Sequence, residues 1–204
     1  MAIVVVDYDM GNVGSIVNMM KKIGQAVEVS SAPEVIRNAD RLILPGVGAF
    51  DAGMANIRAR GLIDVLNEKV LVGKTPVLGI CLGMQLLGEN SHEGDAKGLG
   101  WIPVESVKFS SEVQRVPHMG WSNVVTPSLH WLFAGEPDDM RFYFVHSYHV
   151  VCKHDEDRIA TASYGIEFTA AIARDHIMGV QFHPEKSHRF GMQLLRNFAT
   201  RELS

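Results

Sequence analysis

The sequence predicts an α/β fold: a mostly parallel sheet flanked by helices, with antiparallel strands in the C-terminal half. Three observations carry that expectation. Short β-branched runs such as Ile3–Val6 alternate with helical stretches through the first half, the pattern of strands buried on both faces. A glycine-flanked cysteine, Gly79-Ile80-Cys81-Leu82-Gly83, stands where the apolar run Val77–Ile80 gives way to a helical pattern. From Trp101 onward the apolar runs shorten and are joined by turns, which is how antiparallel strands read.

Each element follows from local pattern. Ile3–Val6 is a strand, Asp7–Asn12 a loop, and Val13–Ile23 a helix closed by Gly24. Ala26–Ser30 is a short strand, Pro33–Asn38 a helical turn, and Arg41–Leu44 a strand running into Pro45-Gly46-Val47-Gly48. Helical stretches cover Phe50–Arg60 and Leu62–Val72 and lead to the strand at Val77. Trp101–Phe109, Asn123–Val125, Arg141–Val145, Tyr148–Lys153, Ile159–Ser163, Phe168–Arg174 and Ile177–Phe182 read as further strands of the same sheet. Ser187–Arg201 is an amphipathic helix with Phe190, Leu194, Leu195 and Phe198 on one face. No repeat or Pro/Ser linker divides the chain, so residues 1–204 are expected to form one domain.

Composition narrows the function classes. With 47% hydrophobic and 21% charged residues, the chain reads as a soluble globular protein. A net charge of −4 without a Lys/Arg cluster argues against a nucleic-acid partner. No apolar run is long enough for a bilayer, and no basic, apolar leader precedes the first strand. Two cysteines make no disulfide framework, which suits a reducing, cytoplasmic setting.

Cys81 alone reads equally as a buried core thiol or as a nucleophile on a strained strand-to-helix turn. In the second reading the flanking glycines permit the tight turn, and the helix N-terminus favours thiolate. A thiol nucleophile needs a base and an orienting partner, and Phe182-His183-Pro184-Glu185 offers both. Pro184 ends the strand and leaves His183 and Glu185 on one side of the turn. An isolated H-P-E is more often structural; paired with a glycine-flanked cysteine in an α/β chain, the catalytic reading gains. A developing oxyanion needs backbone donors, and the Leu82 N–H and the Pro45–Gly48 loop could supply them. Cys152 lacks neighbouring glycines or a base and reads as core filler. The methionines read as packing, His118, His146 and His149 make no metal-ligand spacing, and His154–Arg158 reads as a solvated turn.

Together these motifs resemble the class I (triad) glutamine amidotransferases along the whole chain, a family with a flavodoxin-like α/β fold. Pro117-His118-Met119-Gly120-Trp121 and Tyr143-Phe144-Val145-His146-Ser147-Tyr148 are similar, more closely, to the glutaminase subunits of imidazole glycerol phosphate synthases. The resemblance implies that Cys81 attacks the side-chain amide of glutamine, His183 protonates the departing ammonia and then activates water, and Glu185 orients the ring. It implies Val47 and Leu82 as oxyanion donors and Gly46, Gly48, Gln85, Glu93, Ser147 and Tyr148 as the glutamine site. It also implies that ammonia passes to a (β/α)₈-barrel cyclase subunit of histidine biosynthesis, and that hydrolysis stays slow until that partner is liganded. No metal or cofactor is implied. Asn12, Trp121, Tyr143 and Lys186 match partner-facing positions, although a helix cap, two core aromatics and a solvated charge would account for the same residues.

Gly11–Ile16 and Ser187–Gln193 are closer to a paralogous branch that supplies ammonia for amidination of a nucleotide sugar in surface-polysaccharide synthesis. An intact Cys81, His183 and Glu185 argues against a third possibility, an inactive regulatory homologue.

Overall fold

The apolar runs of the first half become the parallel half of one sheet. In the computed structural model, which describes residues 1–110, 113, 115–128 and 130–201, β1 (Ile3–Val6), β2 (Glu28–Ser30), β3 (Arg41–Leu44) and β4 (Val77–Ile80) pair in the order β2-β1-β3-β4. The late strand β12 (Ile177–Val180) joins them in parallel beside β4. Then the sheet turns antiparallel through β11 (Ile166–Arg174), β10 (Arg158–Tyr164), β7 (His118–Val125) and β8 (Arg141–His146). A side branch carries β5 (Asn90–Ser91), β6 (Val104–Lys108) and β9 (Tyr148–Cys152), the last pairing with β11 at Thr169.

Alternation along β1 explains the two helical layers. Ile3 and Val5 pack with Ile16, Met19 and Met20 of α1 (Val13–Lys22) and with Leu194 and Phe198 of α6 (His188–Thr200). Val4 and Val6 face the opposite layer, with Ile36 of α2 (Pro33–Arg37), Phe50 and Met54 of α3 (Phe50–Ala59) and Leu62 of α4 (Leu62–Asn67). The expected apolar face of the last helix is buried as patterned: Phe190, Leu194, Leu195 and Phe198 all lie in the core.

Several boundaries differ from the sequence expectation. The strand expected over Trp101–Phe109 begins only at Val104, because Pro103 has no N–H to give the ladder. Trp101 instead donates its Nε1–H to Asn67 Oδ1 at 2.8 Å. The strand expected at Asn123–Val125 starts earlier, at His118, paired with β8 from His118↔His146 onward. The helix expected over Leu62–Val72 is α-helical only to Asn67 and widens to a π-turn over Glu68–Val72. The acidic turn is not wholly solvated: Asp157 is 2% exposed and accepts two hydrogen bonds from Arg174, at 2.8 and 2.7 Å. No helix among the described residues is long and apolar enough to cross a membrane.

Candidate active site

Parallel strands all end at the same edge, so the loops that follow them converge. β3, β4 and β12 are neighbours, with Leu44 opposite Gly79 and Ile80 opposite Val180. The Pro45–Gly48 loop, Cys81 and the Gln181–Glu185 segment therefore leave the sheet side by side.

Cys81 stands at φ 55°, ψ −111°, a backbone conformation that costs an L-residue about 1–3 kcal/mol. Its N–H donates to Val180 O at 2.8 Å, and its carbonyl accepts from Met84 and Gln85 at 3.0 and 3.3 Å, which opens α5 (Leu82–Leu86). The flanking glycines serve close approach. A Cβ on Gly83 would lie 1.8 Å from the Leu44 carbonyl, and one on Gly79 would lie 2.6 Å from the Gly83 carbonyl. The strain sits on the cysteine itself. Because α5 is so short, its dipole is a small influence on the thiol, and side chains have to do more.

His183 Nδ1 lies 2.7 Å from Glu185 Oε1, with both side chains almost fully buried. The His183 backbone is pinned on both sides: its N–H donates to Tyr143 O at 2.9 Å, and its carbonyl accepts from Ser187 Oγ at 2.6 Å. Its Nε2 is buried without a hydrogen-bond partner. Burial alone would pull the imidazole down; the Cys81 and Glu185 side chains outweigh it and lift His183 to about 9. The second cysteine is a different environment. Burial pushes the half-buried Cys152 thiol up to about 11.

Above Cys81 lies a cavity of about 320 Å³, lined also by Val47, Gly48, Leu82, Gln85, Glu93, Ser147 and Tyr148. Pro117, Val145 and His146 complete its wall. Glu93 is anchored by the Phe50 N–H at 2.8 Å, at the start of α3. Gly46 does not line the cavity. It packs behind the turn, where a Cβ would come within 2.7 Å of Gly83 N, Leu82 Cβ and Tyr8 Oη. Gly48 is the residue whose backbone needs glycine, at φ 111°.

The two backbone donors expected for an oxyanion are not turned inward together. Leu82 N–H donates to the Gly46 carbonyl at 3.3 Å. In a trans peptide the following N–H points opposite to that carbonyl, so Val47 N–H faces away from Leu82. Tyr8, fully buried between Asp7 and Asp9, holds this arrangement by donating its hydroxyl hydrogen to the Pro45 carbonyl. Burial, and after it the Cys81 charge, raises the Tyr8 hydroxyl well above the usual phenol range, so it remains a donor. Flanked by two acids, Tyr8 looks like a solvated loop residue, and no sequence signal marked it. Gln181 was equally silent, although it lies within 3.7 Å of the cysteine sulphur.

Asn12 is exposed at the start of α1, and its Oδ1 caps Ser15 N–H at 3.3 Å. Trp121 is a surface residue, 42% exposed, stacked on His188 and edge-on to Tyr143 with centroids 6.1 Å apart. Lys186 Nζ lies 5.9 Å from the Tyr143 ring. Trp121, Tyr143 and Lys186 thus form one surface cluster, while Asn12 acts as the helix cap. Among the described residues, no group of His, Cys, Asp and Glu is arranged to hold a metal ion.

A strained cysteine, a buried His–Glu pair and a small cavity lie together at one edge of an α/β sheet, an arrangement suited to thiol acyl transfer. The chain belongs to the class-I glutamine amidotransferases, whose family model matches residues 4–201. It is 54% identical over 198 residues to imidazole glycerol phosphate synthase subunit HisH 2 of Pseudomonas aeruginosa, covering 96% of this chain and 98% of that one. The HisH 2 subunit of Methanococcus maripaludis is 53% identical over 197 residues (96% and 98% covered), and the HisH subunit of Sulfurimonas denitrificans 47% over 201 residues (96% of each). A crystal structure of a glutamine amidotransferase superposes with TM-score 0.76 at 17% identity, covering 96% of each chain. PurLQS from Thermotoga maritima gives 0.72 at 17% identity, covering 97% of each. Those two likenesses speak to the fold.

Proposed function

We propose that the chain is the glutaminase subunit of an imidazole glycerol phosphate synthase, acting as one amidotransferase domain over residues 1–204 in the cytoplasm. It hydrolyses glutamine to glutamate and ammonia, and a cyclase subunit of (β/α)₈-barrel type uses the ammonia in histidine biosynthesis. The observation that carries this reading is the buried Cys81–His183–Glu185 set beside a cavity of about 320 Å³, in a chain about half identical to such subunits.

In this reading Cys81 Sγ adds to the glutamine side-chain carbonyl, and the C–N bond breaks as His183 gives its proton to the leaving ammonia. The thioester is then hydrolysed by water that His183, now neutral, deprotonates; glutamate leaves with the thiol restored. Glu185 holds the ring through Nδ1 and stabilises imidazolium. Leu82 and Val47 N–H groups receive the oxyanion once the Gly46–Val47 peptide turns over. Gly48, Gln85, Glu93, Ser147 and Tyr148 hold the substrate, with Gly46 shaping the loop behind them. Trp121, Tyr143 and Lys186 face the cyclase, with Asn12 at the rim.

The test separates ammonia generation from its use. Cys81→Ala in the assembled synthase should lower glutamine-dependent synthesis by at least about 10⁴-fold and leave ammonium-dependent synthesis intact. The control Cys152→Ala should leave both unchanged. Loss of ammonium-dependent synthesis in Cys81→Ala would make Cys81 structural. Activity toward a nucleotide-sugar acceptor, with none toward the histidine intermediate, would move the chain to the paralogous branch.

A further inference from the structure

The polarity of one buried hydrogen-bond chain can be read from a pure acceptor. The Tyr148 carbonyl lies 2.8 Å from His146 Nδ1 and 3.2 Å from Gln85 Nε2. A carbonyl cannot donate, so His146 carries its proton on Nδ1 and Gln85 presents its amide nitrogen. The same nitrogen lies 3.1 Å from the Gln181 side chain and donates there too, so the Gln181 atom is Oε1. Gln181 Nε2 is thereby turned the other way, 3.7 Å from Cys81 Sγ. On the far side His146 Nε2 must accept, so His118 Nδ1 donates at 3.1 Å and His118 Nε2 accepts from Ser122 Oγ at 2.9 Å. Burial pulls both imidazoles down, His146 to about 3 and His118 to about 4, so neither charges near neutral pH and the chain keeps its direction.

We propose that Gln181 is a positioning residue for the nucleophile: its Nε2–H donates to Cys81 Sγ in a direction imposed by Gln85 and the Tyr148 carbonyl. This rests on Cys81 being the nucleophile. The other hydrogen-bond contact of the sulphur is the Val145 carbonyl at 3.9 Å, which can accept from a thiol but repels a thiolate, while the His183 imidazole and the buried Tyr8 hydroxyl are the titratable groups that face it. The Gln181 and Val145 contacts work in opposite senses. Gln181 favours the charged form, since a hydrogen bond to an ion is roughly twice as strong as a neutral one. Gln181 is fully buried, so no water substitutes for its N–H.

Alkylation by iodoacetamide, followed at the Cys81 peptide by mass spectrometry, tests this without glutamine or partner. In Gln181→Met the rate at pH 7, relative to the rate on the alkaline plateau, should fall about tenfold, the low end for a hydrogen bond to a charged group. A merely structural role would alter the plateau rate or the melting temperature and leave that ratio alone. If Gln181→Met does not fold, Gln181→Glu keeps the shape and the bond from Gln85 while placing an oxygen against the sulphur, and the ratio should fall at least as far. An unchanged ratio in either folded variant overturns the proposal and leaves the nucleophile reading standing. Full glutaminase activity in Cys81→Ala would overturn both.

Discussion

The two halves of the sheet bury their side chains by the same alternation, yet the groups proposed to react all come from one of them. Cys81, the His183–Glu185 pair and the Pro45–Gly48 loop follow the parallel strands β4, β12 and β3. The antiparallel half supplies walls: Val145, His146, Ser147 and Tyr148 at the β8–β9 corner, and the Trp121–Tyr143 surface on β7 and β8. Direction explains the division. Parallel strands deliver consecutive loops to one edge, where three of them can meet within hydrogen-bond distance. Antiparallel strands alternate ends, so a reactive constellation there would need partners from non-adjacent strands. In the proposed reading the parallel half carries chemistry and the antiparallel half carries shape and contact.

The comparison is broken most directly at the base. His183→Asn should lower glutamine turnover by more than about 10²-fold with the fold retained, measured by glutamate release from the assembled synthase. Glu185→Gln should cost less and change the pH profile. His183 sits at about 9 because of its Cys81 and Glu185 neighbours, and in the proposed mechanism the imidazolium is the proton donor to ammonia. Activity should therefore fall as pH rises through about 9. Removing the Glu185 charge destabilises imidazolium and should move that limb to lower pH. A limb that stays in place in Glu185→Gln would separate the pair functionally.

A smaller effect tests how the parallel half is restrained. Tyr8→Phe removes the hydroxyl that holds the Pro45 carbonyl, a bond worth about 1 kcal/mol. The Gly46–Val47 peptide should then turn over more readily, and hydrolysis by the isolated chain should rise about fivefold. A fall in Tyr8→Phe would mean that Tyr8 supports the working arrangement.

The smallest effect is on stability. Cys81→Gly should melt about 2–4 °C above Cys81→Ala, because glycine relieves roughly 1 kcal/mol of strain at φ 55°. Equal melting temperatures would mean that the turn stores no strain.

These restraints bear on how far the sequence could be read. The parallel strands were legible because continuous β-branched runs leave little choice of structure, and Gly79, Cys81 and Gly83 marked the turn. His183 and Glu185 were legible because proline fixes their relation locally. Residues acting across long sequence separations were not. Tyr8 reaches Pro45 and Gln181 reaches Cys81 only after β1, β3, β4 and β12 have paired. The start of β7 at His118 was missed because its alternating burial is diluted by Gly120 and by exposed Met119 and Trp121. Conformational freedom was the expected reason for the glycines, and it holds for Gly48 at φ 111°, whereas Gly83 and Gly46 are required by close contact.

The central claim is that the chemistry of the parallel half waits on one peptide, with the Gly46 carbonyl occupying the Leu82 donor. Steady-state glutamate production by the chain alone, with the cyclase subunit, and with cyclase and its ligand tests it most directly. Two missing donors predict slow hydrolysis by the chain alone and a rise of at least about 10²–10³-fold when both are added. Fast hydrolysis by the isolated chain, unchanged by cyclase and ligand, would contradict the account.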